Sequence, residues 1–294
     1  MKLRKTSVSA AYVPLGIFSS RSRAHSGGMD VVPATLNYLA PRSTRNLRYV
    51  APGAYLTTTE FSSYTVPVAN GRPYRDQFGL DLTGFTLLEH RSAVADFTDD
   101  EQVSGRYTAE ARHLVAEAAG ADLVVPLGPV LPSASEVHVD MHPDRAAALF
   151  AGIHAEHGQP GRPFRRAILM SLWRAFSPPP QDWPIALCDY RSTSDAEGLP
   201  NVMLIVDRLP RPREVPDVIE DAQARPAGSV FPFSEVHRWW YFPDMHAGEA
   251  LLFKLYDTDH SVAWRAPHTV FRDPSVSPPH SRQSIELRLA AFFY

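Results

Sequence analysis

The chain of 294 residues contains a single cysteine, Cys188. A lone thiol excludes an intrachain disulfide and any metal site built on several cysteines, and it fits a reducing, cytoplasmic setting. Long apolar runs are missing too: nothing approaches the ~18 consecutive apolar residues of a membrane-spanning helix. Positive charge is not in excess. The formal net charge is −3, so no global field draws the chain to nucleic acid or to acidic membranes. Basic residues are dispersed, and no zinc-finger, P-loop or dinucleotide-binding spacing occurs. Internal repeats, heptads and a His-Glu-x-x-His motif are absent as well.

What is present is an ordinary globular composition, 44% hydrophobic and 21% charged, with a core large enough to need no covalent staples. Proline is frequent, 27 residues, and punctuates loops such as SPPPQDWP (177–184) and RLPRPREVPD (208–217). The opening MKLRKTSVSAAYVPLGIFSS is basic, but Pro14 breaks its apolar stretch and no cleavage site follows. Residues 1–35 are therefore expected to form a disordered extension, with Met29 an alternative start, and residues 36–294 a single domain.

Two helices are predicted. One is TAEARHLVAEAAG (108–120), capped by Thr108 and ended by Gly120. The other is PDRAAALFAGIHAEHG (143–158), with Pro143 in its first turn and Gly158 as its stop. The rest reads as strands: EVHVDM by strict alternation, and the apolar runs at 165–176, 184–190, 202–209, 249–257 and 284–294. Many strands without βαβ alternation argue against a parallel sheet. The expected fold class is mainly β with flanking helices (α+β), a barrel or jelly roll.

SASEVHVDMHPDRAA (133–147) holds two His-x-Asp pairs. Along a strand, Glu136, His138, Asp140 and His142 share one face and Val137, Val139 and Met141 the other. His138 and Asp140 thus point the same way, as two ligands of one metal must. A polar face that simply meets water explains the pattern equally. His142 and Asp144 straddle Pro143, where strand gives way to helix, and Asp144 is explained as a first-turn carboxylate. A zinc site on His138-x₃-His142 would need a helix there, which the alternation and Pro143 oppose. His268, in RAPHTVFRDP (265–274), can complete a set of two histidines and one carboxylate, the facial arrangement that suits non-haem Fe(II). Fourteen positions on, Arg282 and Ser284 offer a guanidinium and a hydroxyl two residues apart, a fork for a distal carboxylate.

His-x-Asp, a distal His and then Arg-x-Ser together resemble the Fe(II)/2-oxoglutarate-dependent dioxygenases. NLRYVAPGAYLTTTE, VHVDMHPD, LWRAF, WPIALCDYRS, HRWWYFPDMHAGEALLFKLYD, PHTVFRDP and RQSIELRLAAFF narrow the likeness. They resemble the hydroxylase/desaturase family that includes cephalosporin 7α-methoxylase subunits and fungal enzymes of secondary metabolism. It spans roughly residues 46–294. The resemblance implies a double-stranded β-helix with Fe(II), 2-oxoglutarate and O₂ at its mouth. It implies His138, Asp140 and His268 as metal ligands, and Arg282 and Ser284 as the 2-oxoglutarate anchor. Arg288 can take or share that role, or pair with Glu286. The expected reaction is hydroxylation, desaturation or cyclisation of a small molecule, with 2-oxoglutarate decarboxylated to succinate. Retention of Asp140 argues against a halogenase.

Trp173 and Arg174 match the family's Trp-Arg pair; Arg174 can bind co-substrate or an anionic substrate, while Trp173 also reads as core. Arg191 can line the pocket or pair with Asp189. RWWYFPDM (238–245) either walls a cavity or packs, and Cys188 reads as a small buried hydrophobe. Two departures from the family bear on the substrate pocket: Met141 follows the ligand aspartate where the family often has an aromatic, and VVPLGPVLPS (124–133) replaces a polar run. Two other classes remain open. One is a silent small-molecule-binding barrel or accessory subunit, homodimeric or paired with a partner. The other is a zinc hydrolase, which leaves Arg282-x-Ser284 unexplained.

Overall fold

The structure is a computed structural model and describes residues 29–130 and 135–294. In chain order its strands begin with β1 (Val31–Leu39), β2 (Leu47–Ala51), β3 (Ala54–Thr57), β4 (Phe61–Asn70) and β5 (Phe85–Glu89). A helical segment follows: α1 (Asp100–Gln102), a π-helical turn at Val103–Tyr107, and α2 (Thr108–Ala119). Then come β6 (Leu123–Val130), β7 (His138–Val139), α3 (Pro143–His157), β8 (Arg166–Ala175), β9 (Ile185–Cys188) and β10 (Leu199–Ile205). The chain closes with β11 (Ala227–Val230), β12 (Trp239–Tyr241), β13 (Glu249–Asp257), β14 (His268–Val270) and β15 (Ser284–Phe293).

Among the described residues these strands form two sheets. The larger runs β1-β4-β12-β9-β14-β7-β11-β10-β2-β3 and the smaller β5-β13-β8-β15-β6. The mainly β expectation with flanking helices holds. The central strands of the smaller sheet, β13, β8 and β15, are buried on both faces, which is why they read as unbroken apolar runs. On β8, Ala167, Leu169 and Trp173 pack in the main core, which also holds Leu187 and Val139 of the larger sheet. Ile168, Met170 and Leu172 pack on the other face with Tyr107, Ala111 and Val115 of the α2 segment. On β15, Ile285, Leu287 and Leu289 take that outer face, so Glu286 and Arg288 are turned inward by alternation.

Four expectations change. Val31–Thr35 are not part of a disordered extension: they are strand, paired with β4 from Val31↔Ala69 to Thr35↔Thr65. Their alternation of buried and exposed residues, with Pro33 tolerated on an edge strand, is the physical reason. Residues 1–28 of the expected extension, and 131–134 of the proline-rich segment, lie outside the described residues. Second, Thr108 does not cap α2. The helical segment starts eight residues earlier, where the Asp99 side chain accepts from the Glu101 and Gln102 amides, and Thr108 Oγ1 instead donates to Val103 O at 2.9 Å. Gly120 ends the helix as expected, in the left-handed conformation at φ 66°. Third, the EVHVDM strand shrinks to two residues, because β11 and β14 meet it only at His138 and Val139. Fourth, the run at 202–209 is a strand over Leu199–Ile205, shifted three residues toward the N-terminus. No helix among the described residues is long and apolar enough to cross a membrane.

Candidate metal centre and cavity

β7 lies between β14 and β11, and His138 faces His268 directly across the β14–β7 pair. Cross-strand partners share a face, so two imidazoles 130 residues apart in sequence lie with ring centroids 4.3 Å apart. Each ring is oriented by its own backbone. His138 Nδ1 donates to Glu136 O at 2.8 Å and His268 Nδ1 to Ala266 O at 3.1 Å. A carbonyl only accepts, so the proton sits on Nδ1 and leaves each Nε2 lone pair free, the arrangement typical of metal-ligating histidine.

Asp140 completes the set. Its Oδ1 is 3.8 Å from His138 Nε2 and its Oδ2 is 3.7 Å from His268 Nε2. One ligand atom from each residue lies within 4.8 Å of the others. Burial pushes the His138 imidazole down, with His268 adding to it, which keeps the ring neutral. Burial works to raise the Asp140 carboxyl, but His268, Arg288 and His138 outweigh it and hold it well below the usual carboxylate range. A neutral His138 imidazole beside an ionised Asp140 carboxylate is the protonation state a divalent cation requires of two such groups.

His142 and Asp144 stand apart from this cluster. The His142 side chain caps α3, accepting from Asp144 N at 3.4 Å, and Asp144 lies in the first turn. The second His-x-Asp pair is a helix start.

Arg288 is the cation that adjoins the centre. Its Nη2 is 2.8 Å from Asp140 Oδ1, while its buried Nε has no hydrogen-bond partner and lies 3.9 Å from Glu286 Oε1. Glu286 is buried on the same strand face and accepts from Ser171 Oγ at 2.6 Å. Burial, followed by the Asp140 charge, pushes its carboxyl up.

Beside the cluster opens a cavity of about 480 Å³, within the range of small-molecule sites. Its walls come from β2, β6, β7, β10, β11, β15 and α3, and include Met141, Leu149, Leu127, Met203, Arg48, Glu136 and Asn201. Sequence reasoning missed Arg48 and Asn201. Asn201 had a signal: one amide in an apolar run, out of phase with Val202 and Leu204. Arg48 had none, because its side chain is assigned to the cavity only by the β10–β2 pairing.

Several expected site residues are placed elsewhere. Arg282 does not line the cavity. Its Nη1 donates to Trp183 O at 2.9 Å and its guanidinium lies 5.6 Å from the Trp173 ring centroid. Ser284 begins β15 opposite Ala175, four residues from Arg288 and outside the cavity lining. The expected Arg282-Ser284 fork is therefore not beside the metal cluster, because both precede the stretch of β15 that faces it. Arg174 points to the outer face of the smaller sheet. It is fully buried, donates to His90 O at 2.8 Å and to Ala247 O, and stacks over Tyr107 and Phe97. Trp173 is core, 2% exposed. Arg191 pairs with Asp189 at 2.7 Å and is not at the cavity. Trp239, in the aromatic run, donates to Tyr38 OH at 2.7 Å, a packing role. Burial pushes the Cys188 thiol up to about 12, as for an inert buried hydrophobe.

Known proteins can be set beside this geometry. The hydroxylase/desaturase efuI of Hormonema carpetanum is 26% identical over 293 residues, covering 89% of this chain and 95% of the relative. The Fe(II)/2-oxoglutarate-dependent dioxygenase nvfI of Aspergillus novofumigatus is 27% identical over 267 residues, covering 82% and 87%. Among solved structures, the iron and alpha-ketoglutarate-dependent endoperoxidase NvfI superposes with a TM-score of 0.72 at 24% identity, over 90% of this chain and 98% of that one. The fold is thus that of an iron- and 2-oxoglutarate-dependent oxygenase. Residues 36–292 match the family described as oxidoreductase/YMDC permease-like domain, and the chain belongs to that family.

Proposed function

We propose that the protein is an Fe(II)- and 2-oxoglutarate-dependent oxygenase that oxidises a C–H bond of a small organic molecule, by hydroxylation, desaturation or ring formation. The observation that carries the reading is the convergence of one ligand atom from each of two histidines and one carboxylate within 4.8 Å, next to an arginine whose buried Nε lacks a partner. That donor set fits a ferrous ion with coordination positions left over, and the orphaned guanidinium N–H fits an added carboxylate.

His138, Asp140 and His268 would hold the metal. Arg288, rather than Arg282, would hold the distal carboxylate of 2-oxoglutarate. When bound, the iron and 2-oxoglutarate supply O₂ activation, with loss of CO₂, succinate formation and removal of hydrogen from carbon. The chain's own task is positional. The Nδ1–carbonyl hydrogen bonds fix both imidazoles. Met141, Leu149 and Leu127 make an apolar wall that keeps bulk water from the reacting carbon. A cytoplasmic setting belongs to the same reading and rests on the single cysteine. So does the choice between a homodimer and an accessory subunit, which sedimentation of purified protein decides.

The test is succinate release. Iron-loaded protein with 2-oxoglutarate and O₂ should form succinate, faster when a fitting substrate is added, and the Asp140→Ala variant should not. Equal succinate from wild type and variant would overturn the proposal.

A further inference from the structure

The cavity wall across from the metal cluster carries two polar atoms that the protein leaves unmet. Asn201 is 8% exposed, and its buried Oδ1 has no hydrogen-bond partner. Arg48 Nε is likewise buried and without a partner. Both side chains are on the cavity face. In the parallel β10–β2 pair Arg48 stands opposite Met203, so Asn201, two residues before Met203, shares its face. Leaving a buried acceptor and a buried donor unsatisfied destabilises the empty cavity, and a bound molecule that meets them removes that cost.

Arg48 is not free as a charge. Its Nη2 is already paired with the Glu136 carboxylate, which is 9% exposed. The buried unmet atoms of the subsite are therefore one acceptor, Asn201 Oδ1, and one N–H donor, Arg48 Nε, beside the Asn201 amide group and with its charge balanced. An anionic group would have to compete with Glu136. An apolar group would leave both atoms unmet. A neutral group with a donor beside an acceptor satisfies both.

Distance to the reacting centre follows from the sheet. Asn201 pairs with Gly228, one strand from β7. A Cβ built on Gly228 would lie 2.8 Å from Val139 O and 3.7 Å from Asp140 Cα, so nothing on β11 stands between Asn201 and Asp140. Two strand spacings, roughly 10 Å, separate them.

We infer that Asn201 and Arg48 form a specificity subsite for a neutral substrate group carrying a donor next to a carbonyl, such as a hydroxycarbonyl, an enolised diketone or a carboxamide, a few bonds from the carbon that is oxidised. This rests on the oxygenase reading for the reaction but not for the binding.

The test uses three isosteric probes, benzamide, benzoate and α-methylstyrene, titrated calorimetrically into anaerobic protein loaded with Fe(II) and 2-oxoglutarate and into metal-free protein. Benzamide should bind at least about tenfold tighter than either other probe, the worth of one recovered hydrogen bond. Asn201→Leu, and Asn201→Ala as the smaller alternative, should remove that preference without lowering the thermal midpoint, since each deletes a carboxamide whose buried oxygen has no partner in the protein. Tighter binding of benzoate, equal binding of α-methylstyrene, or an unchanged preference in the variants would overturn the inference. The metal-free arm keeps it apart from the oxygenase reading: failure of succinate formation leaves the probe ranking standing, and failure of the ranking leaves succinate formation standing.

Discussion

Replacing Arg288 by methionine separates the two arginines that can anchor 2-oxoglutarate. Arg288 Nη2 already reaches the metal cluster at 2.8 Å, and its orphaned Nε is available to an incoming carboxylate. A charge-assisted hydrogen bond is worth about 1.5–3 kcal/mol. Losing that contact should cost about 1.5–3 kcal/mol, on the order of 10- to 100-fold in 2-oxoglutarate affinity. Metal affinity should not fall, because the variant removes a cation beside Asp140. Arg282→Met should change 2-oxoglutarate affinity by less than about threefold, since Arg282 serves Trp183 O and the Trp173 ring. The assay is an anaerobic titration of Fe(II)-loaded protein with 2-oxoglutarate, followed by the weak visible band of the complex. A loss of that size with Arg282→Met and none with Arg288→Met would refute the reasoning.

Three further outcomes follow. Lys254 is fully buried, and its Nζ donates at 2.7 Å to Asp257, Asp81 and Ala263 O; Lys254→Met should cost about 3 kcal/mol in a denaturant melt by leaving a buried carboxylate short of a partner, and a loss below about 1 kcal/mol would contradict this. Gly84 has φ +87°, and a Cβ there would lie 2.6 Å from Arg265 O, so Gly84→Ala should lose at least about 1–3 kcal/mol from backbone strain alone, measured the same way. The folded His138 pKa lies below its ordinary value of 6.5, so the unfolded chain binds the proton first; metal-free protein should keep this stability above pH 6.5 and lose it as pH falls below that value, and His138→Phe should flatten the slope. A steeper slope in the variant would count against a neutral buried imidazole.

The sequence announced the proposed metal ligands more clearly than their surroundings. His138 and Asp140 were legible because alternation sets them on one face and a short span joins them. His268 was a candidate from its residue type alone, since only strand pairing brings it opposite His138. Strands buried on both faces, such as β8 and β15, declared themselves as apolar runs. Arg174 misled because the run at 165–176 hides which face is which: in a strand buried on both sides, alternation no longer separates core from solvent. Arg282 misled because spacing from the distal histidine does not say where β15 begins to face the cluster. Thr108 misled because Asp99 caps the helical segment more than two turns earlier, and a threonine inside a helix looks the same in sequence as one at its start. Arg48 reaches the cavity through the β10–β2 pair, a long-range contact that no local pattern encodes, whereas Asn201 left only its phase in an apolar run as a signal.

Crystals grown anaerobically with Fe(II), with data collected at the iron absorption edge, test the central claim most directly. The account predicts one anomalous peak per chain, bonded to His138 Nε2, His268 Nε2 and an Asp140 carboxylate oxygen, and its loss in Asp140→Ala crystals. A peak away from these three side chains, or no peak in protein that forms succinate, would contradict it.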